Sequence, residues 1–216
     1  MRGQRQMPAN TRERNSPSAL DDAAKRALDV GVSAIGLLVL APLMVAIGVV
    51  VRATSPGPAL FRQERVGKDG VAFRLLKFRS MRPAAGGPEV TAGSDTRITP
   101  IGRALRQWKL DELPQLINVL WGEMSLVGPR PEVERYVRHY TETQREALSV
   151  RPGITGVSQL LFRHEEELLA GQTDVEDFYI RVVMPQKLEL DLRYVHERSF
   201  TGDIGILVRT LTAILH

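Results

Sequence analysis

The sequence predicts an α+β protein: a mostly helical cytoplasmic domain with a small β-hairpin, led by one N-terminal membrane helix that re-enters on the side it left. Three observations predict it. Val30 to Val51 is a run of 22 residues without a charge, longer than the usual threshold for a membrane-embedded helix. Phe61 to Arg79, "FRQERVGKDGVAFRLLKFR", alternates around the turn Lys68-Asp69-Gly70 as a hairpin does. Downstream, apolar residues recur at helical spacing in stretches separated by Gly and Pro.

Taken in order, residues 1–24 are polar and rich in Arg, Ser, Asn and Pro without an apolar period, and are expected to be a disordered tail. Residues 25–53 form the membrane helix. The run is too long for a secretory signal and has no small-residue cleavage site after it, so it is expected to be retained. Pro42 near its middle removes a backbone donor and predicts a kink or reversal. Residues 1–26 carry six basic and three acidic side chains, and the remainder is basic as well. Keeping both flanks on the cytoplasmic face satisfies the positive-inside tendency. A kinked spanning anchor and a buried core helix are the plainer alternatives.

Residues 54–216 form the globular part, entered through "TSPGP". Lys77 and Arg79 share one face of the second strand. "PAAGGPEVTAGS", residues 83–94, reads as a mobile loop. Thr99 and Pro100 begin a helix with the apolar stripe Ile101, Leu105 and Trp108 and the polar pair Arg103 and Arg106. A second helix is expected to start with Asp111 as its cap, to bury Leu113, Leu116, Ile117 and Leu120, and to end at Gly122. The closing "DIGILVRTLTAILH" is expected to lie along the membrane interface or to be an ordinary packed terminal helix.

The 216 residues allow one domain with a real core. Lys and Arg exceed Asp and Glu by 29 to 25, which suits an anionic partner. The chain has no Cys, so disulfides, thiolate zinc sites and thiol nucleophiles are excluded and a reducing compartment fits. The four His lack metal-ligand spacing, and no Gly-rich phosphate loop or serine elbow occurs. Nucleic-acid binding lacks interleaved aromatics and a recognised module.

The chemistry is carried by "KLDELPQLINVLWGEMSLVGPRP", residues 109–131. Adjacent carboxylates at 111 and 112 repel, and Arg106 upstream and Arg130 in the stiff "GPRP" turn are placed to relieve them. That arrangement suits a divalent ion, Mg²⁺ above all, bridging carboxylate and phosphate oxygens. An acidic pair at a helix start is equally an ordinary cap, and Lys77, Arg79, Arg151 and Arg163 are equally solvated surface charges, so local spacing leaves both readings open.

Seven ordered blocks resolve the choice: "KRALDV" (25–30), "FRQERVG" (61–67), "KFRSM" (77–81), "DELPQLINVL" (111–120), "MSLVGPRPE" (124–132), "RPGITG" (151–156) and "ELDLRYV" (189–195). Together they resemble the bacterial sugar transferases, the monotopic phosphoglycosyl transferases. The resemblance implies an enzyme that moves a sugar-1-phosphate from a nucleotide diphosphate sugar, expected to be a UDP-sugar, to polyprenol phosphate, with Mg²⁺, opening glycan or exopolysaccharide assembly. It places the protein at the cytoplasmic leaflet of the bacterial inner membrane, with homo-oligomerisation left open. It implies that Asp111 is the nucleophile forming an acyl-phosphate, that Glu112 assists as metal ligand or base, and that both carboxylates hold the metal. Substrate contacts are implied for Lys77, Arg79, Arg106, Arg130, Arg151, Arg163 and Asp191, and the membrane bend for Pro42. Two departures stand out. The family's Ser-Pro at the bend is Ala41-Pro42 here, and its "WAQVNGRN" is replaced by "VSQLLFRHEEELLAGQTDVEDFYIRVV", which aligns Arg163 with the motif arginine but adds an acidic insertion. A membrane scaffold of the same fold without activity is the alternative.

Overall fold

The computed structural model describes residues 19–82, 90 and 95–215. Residues 1–18 of the expected tail, and all of the expected 83–94 loop except Val90, lie outside them.

Helix α1 spans Ala19–Thr54. It begins six residues before the expected start at residue 25, with Asp21 and Asp22 in its first turn and Arg52 in its last, signs that match the helix macrodipole. At 1.5 Å per residue it is about 54 Å long. The reversal expected at Pro42 does not interrupt the helix, which runs through that residue. A single missing amide in a long apolar helix costs one backbone bond, and here the ladder continues past it. One face is buried or partly buried at Asp29, Ser33, Gly36, Leu40, Met44, Ile47 and Val51, while Ile35, Leu38, Val39, Val45 and Val49 face outward. Spacings of three and four put the first set on one stripe.

That stripe lies against the rest of the protein. A Cβ on Gly36 would stand 3.3 Å from Leu116 Cδ1, so the missing side chain lets the helices approach closely. At the N-terminal end, Lys25 donates to the Val127 carbonyl at 2.9 Å and pairs with Asp203. Arg26 donates to the Val119 carbonyl at 2.7 Å, and Asp29 accepts from the Leu126 amide at 2.9 Å. At the C-terminal end, Ile47 and Val51 pack with Phe78 and Leu105.

Strands β1 (Leu60–Val66) and β2 (Ala72–Phe78) form the expected antiparallel hairpin, from Leu60 opposite Phe78 to Val66 opposite Ala72. Its turn uses positive φ at Asp69 and Gly70, which those residue types accept. Phe73, Leu75, Leu76 and Phe78 are buried. Helix α2 (Pro100–Gln107) is capped by Thr99, whose side chain accepts from the Gly102 amide, with Pro100 in the first turn, as expected. Helix α3 spans Gln115–Trp121 and stops at Gly122 with φ 84°.

A second sheet has no counterpart in the sequence reading. Strand β3 (Ser125–Val127) pairs in parallel with β4 (Gly153–Thr155), after the short helices α4 (Glu134–Val137) and α5 (Glu142–Arg145). The pairing brings "GPRP" and "RPGITG" together. A Cβ on Gly128 would meet the Arg151 carbonyl at 2.5 Å, and one on Gly153 would meet the Gly128 amide at 2.1 Å. Gly153 N–H donates to the Pro129 carbonyl and Gly128 N–H to the Thr155 carbonyl. The segment leading into Arg130 is thereby fixed from the backbone.

Helices α6 (Val157–Leu161), α7 (Glu165–Ala170), α8 (Val175–Phe178), α9 (Met184–Glu197) and α10 (Phe200–Leu215) complete the chain. A π-helical turn, Tyr179–Val183, joins α8 to α9. It ends where Pro185 has no amide to offer Arg181, a natural place for the ladder to change register. Tyr136, Tyr179, Val183, Leu188 and Leu169 centre one core cluster. Phe73, Leu75, Val119, Met124 and Leu126 meet Tyr194 and Ile206 in another.

Candidate active site

Asp111 and Glu112 occupy a 3₁₀ turn, Leu110–Glu112, between α2 and α3. The expectation that Asp111 caps a helix is corrected here, because the residue at the N-cap of α3 is Pro114. Lys109 takes a left-handed conformation, φ 54°, which reverses the chain after α2 and turns Asp111 inward. Asp111 is only 5% exposed, and its Oδ1 is buried without a hydrogen-bond partner. Such an atom carries a desolvation cost that a structural role does not explain.

Glu112 is treated very differently. Its Oε1 accepts from Lys77 Nζ at 3.0 Å and lies 3.5 Å from Arg130 Nη2. Lys77 comes from β2 and Arg130 from the braced loop after β3, so two separate elements converge on one oxygen. The two carboxyls are consequently pushed apart in acidity. Burial raises the Asp111 pKa, only partly opposed by Lys77. Burial would raise Glu112 too, but Lys77, Arg130 and Lys109 overcome it and hold this carboxyl well below the usual range. Burial in turn draws the Lys77 ammonium down, against the pull of Glu112. The dyad thus has one carboxylate locked in ion pairs and one held close by with an unpartnered oxygen.

Arg106 lies within electrostatic reach of Asp111 and is paired with Glu166. Lys77, Arg106, Arg130, Asp111 and Glu112 are therefore gathered in one place. Of the other four sequence candidates, Arg79, Arg151 and Arg163 are engaged elsewhere and Asp191 borders the site through a cavity beside Arg130. Arg79 is 5% exposed and its Nη2 donates to the Val51 carbonyl at 3.3 Å and to the Ser55 carbonyl at 2.7 Å. It ties the C-terminal end of α1 to β2 instead of facing the dyad, because the strand ends at Phe78 and the carbonyls at the end of α1 attract a cation. Arg151 donates to the Gly122 carbonyl at 2.8 Å and lines a cavity with Lys25, Arg26 and Asp29 at the start of α1. Arg163 is exposed and its Nε donates to its neighbour His164. Asp191 is buried, 5% exposed, and shares a cavity with Arg130, Pro131 and Tyr140. Burial pushes its carboxyl up to about 6, opposed by a Ser158 hydrogen bond and by Lys187.

The sequence reading missed a polar network beside the site. Tyr179 O–H donates to Glu132, Lys187 Nζ pairs with Glu165 at 2.6 Å, and Lys187 sits 5.2 Å from the Tyr179 ring centre. Arg130 lies in the field of Glu112, Glu165 and Glu132. The available signal was Lys187 four residues before Asp191, one helical turn apart on a helix that is otherwise apolar on that face.

Among the described residues no group of three or more His, Cys, Asp or Glu could hold a metal ion. Mg²⁺ needs no such cage when substrate phosphates share its coordination, since one or two carboxylates suffice. The unpartnered Asp111 oxygen beside Glu112 fits a metal held in that way.

The sequence profile described as Bacterial sugar transferase matches residues 20–216. The UDP-glucose:undecaprenyl-phosphate glucose-1-phosphate transferase of Caulobacter vibrioides is 38% identical over 204 residues, covering 92% of this chain and 72% of that protein. The UDP-N-acetylgalactosamine-undecaprenyl-phosphate N-acetylgalactosaminephosphotransferase of Aeromonas hydrophila is 35% identical, covering 92% of this chain and 45% of that protein. The exopolysaccharide production protein PSS of Rhizobium leguminosarum bv. phaseoli is 38% identical over 209 residues, covering 91% of this chain and 97% of that protein. Of the E. coli glucose-1-phosphate transferase the chain spans only 40%. A profile match over nearly the whole chain, with relatives at this identity, places the chain in the bacterial sugar transferase family.

Proposed function

We propose that the protein transfers a sugar-1-phosphate from a UDP-sugar to polyprenol phosphate through a covalent intermediate on Asp111, opening the assembly of an exopolysaccharide or related glycan. The observation that carries this is the buried Asp111 oxygen without a partner, set beside a Glu112 that Lys77 and Arg130 have already neutralised. An Asp111 oxygen attacks the sugar-bearing phosphorus. The bond from that phosphorus to the bridging oxygen breaks, and UMP leaves with the electron pair. An oxygen of polyprenol phosphate then attacks the same phosphorus, the acyl-phosphate bond breaks, and the Asp111 carboxylate returns. Lys77, Arg106 and Arg130 offset the repulsion between an anionic nucleophile and an anionic diphosphate. Mg²⁺ held by Asp111, Glu112 and the diphosphate would add charge neutralisation at the phosphoryl oxygens. Incubation with a UDP-sugar labelled in the sugar phosphate, without lipid acceptor, is expected to leave label on the peptide containing Asp111 and release about one UMP per protein; product formation without any labelled Asp111 would refute the intermediate.

Helix α1 supports the same reading of membrane placement. This helix is long and apolar enough to cross a bilayer, and little of it is covered. Yet Lys25, Arg26 and Asp29 at one end, and Val51 and Ser55 at the other, are fastened to the same domain. A helix crossing to the far face could not return both ends to one body, so the two fastened ends support a helix that enters and leaves on one side, although it continues through Pro42. The exposed stripe Ile204, Val208 and Leu211 on α10, and the exposed Trp108 and Trp121, suit an interfacial surface beside it. Because the chain has no Cys, Ala23→Cys and Ala53→Cys can be labelled without background. Both are expected to react from the cytoplasmic side of inverted vesicles; opposite sidedness would refute re-entry.

A further inference from the structure

The acidic insertion that sets this chain apart from the common family pattern folds back onto the site. It places Glu165, Glu166 and Glu167 in the first turn of α7. Acidic residues are at home at a helix start, which accounts for their charge but not for their reach. Glu167 spends its charge locally, on His164 at 3.1 Å. Glu166 instead reaches 60 residues back along the chain to the guanidinium of Arg106, and Glu165 takes Lys187 at 2.6 Å.

These two pairs differ in how easily they can open. The Lys187 side chain is 6% exposed, stacked near Tyr179, and its pair with Glu165 fixes α7 against α9. The Glu166 side chain is 44% exposed and its partner Arg106 is 22% exposed. An exposed carboxylate–guanidinium pair is weak, whereas a diphosphate offers the same guanidinium more charge and matched, bidentate oxygens. Arg106 also lies within electrostatic reach of Asp111.

We infer that Glu166 is a built-in competitor for the donor's diphosphate: its carboxylate holds Arg106 until the donor arrives, must be displaced for the donor to bind, and takes Arg106 back as the nucleoside monophosphate leaves. Glu165, anchored on Lys187, keeps α7 in place while the Glu166 side chain swings. Glu166 is a positioning residue that sets donor affinity and product release, and it takes no part in the bond changes. This rests on the donor-phosphate role proposed above for Arg106.

The test compares wild type, Glu166→Gln and Glu167→Gln in detergent with Mg²⁺, by steady-state UMP release over a panel of UDP-sugars and by calorimetric titration with UMP. Glu166→Gln is expected to lower the donor KM and the UMP dissociation constant by about two- to fivefold, the span of an exposed ion pair, with kcat equal or reduced and the polyprenol phosphate KM unmoved. Glu167→Gln removes the same charge one residue further on and is expected to match wild type. If Glu166 only braces α7, its loss raises the donor KM and lowers the melting temperature, and that result overturns the inference. An unmoved KM and UMP affinity in Glu166→Gln overturn it alone, as does an equal gain in Glu167→Gln. A wild type that neither turns over any UDP-sugar nor binds UMP overturns the transferase reading together with it.

Discussion

Two buried aspartates of this protein, Asp111 in the dyad turn and Asp203 at the start of α10, show what separates a carboxylate kept for chemistry from one kept for architecture. Asp203 is 2% exposed and fully partnered: one oxygen pairs with Lys25 and the other accepts from Tyr194 O–H at 2.9 Å. It joins the beginning of α1 to α9 and α10. Asp111 is nearly as buried, yet one of its oxygens has no partner, and Lys77 and Arg106, whose charges act on it, are engaged by Glu112 and Glu166. A satisfied buried carboxylate holds elements together, while an unsatisfied one is a cost that only a ligand or a reaction offsets.

Exchanging each aspartate for asparagine tests that contrast, and the largest effect falls on turnover. Asp111→Asn is expected to reduce UMP release at least about 10³-fold, because the amide cannot form the intermediate. The same change is expected to raise the melting temperature by a few degrees. Burial raises the Asp111 pKa, so its ionised form opposes folding at neutral pH, and a neutral side chain removes that opposition. Asp203→Asn is expected to do the reverse, costing about 3 kcal/mol by leaving Lys25 without its buried counter-ion, while any folded fraction keeps its turnover per molecule. Thermal unfolding in detergent beside a UMP-release assay checks both. Asp111→Asn melting below wild type would mean that the turn is held by contacts of the carboxylate.

How much of this was legible in the sequence depends on how local each feature is. The hairpin was readable because alternation and the Lys68-Asp69-Gly70 turn are neighbours along the chain. The apolar run announced α1, though not its start at Ala19 or its passage through Pro42, since ladder continuity depends on what packs alongside. The β3–β4 pair was hidden: each strand has three residues, and what joins them is the mutual approach of Gly128 and Gly153. Asp111 looked like a helix cap because the left-handed turn at Lys109 leaves no mark in a one-residue pattern. Arg79 looked like a partner of Lys77 because strand parity puts them on one side, but the strand ends between them and the cation turns to the carbonyls of α1. The dyad itself was marked by family motifs, whereas the Glu166–Arg106 and Glu165–Lys187 pairs join distant segments that no spacing rule connects.

A third aspartate, Asp191, lies between the two cases and carries the smallest expected effect. Ser158 and the charge of Lys187 favour its ionised form, yet burial pushes its carboxyl up to about 6. A carboxyl whose folded pKa lies above its unfolded value contributes stability that is complete below the unfolded value and is lost as pH rises through the folded one. The pH window is therefore about 4 to 6, and the protein is expected to lose up to about 3 kcal/mol of stability from this group across it. Asp191→Asn cannot titrate, so the difference in melting temperature between variant and wild type is expected to shift in favour of the variant between pH 4 and pH 7. A difference that stays constant over that range would mean that Ser158 and the charge of Lys187 keep Asp191 ionised throughout. It would then belong with Asp203, as a carboxylate whose burial is fully compensated by its neighbours.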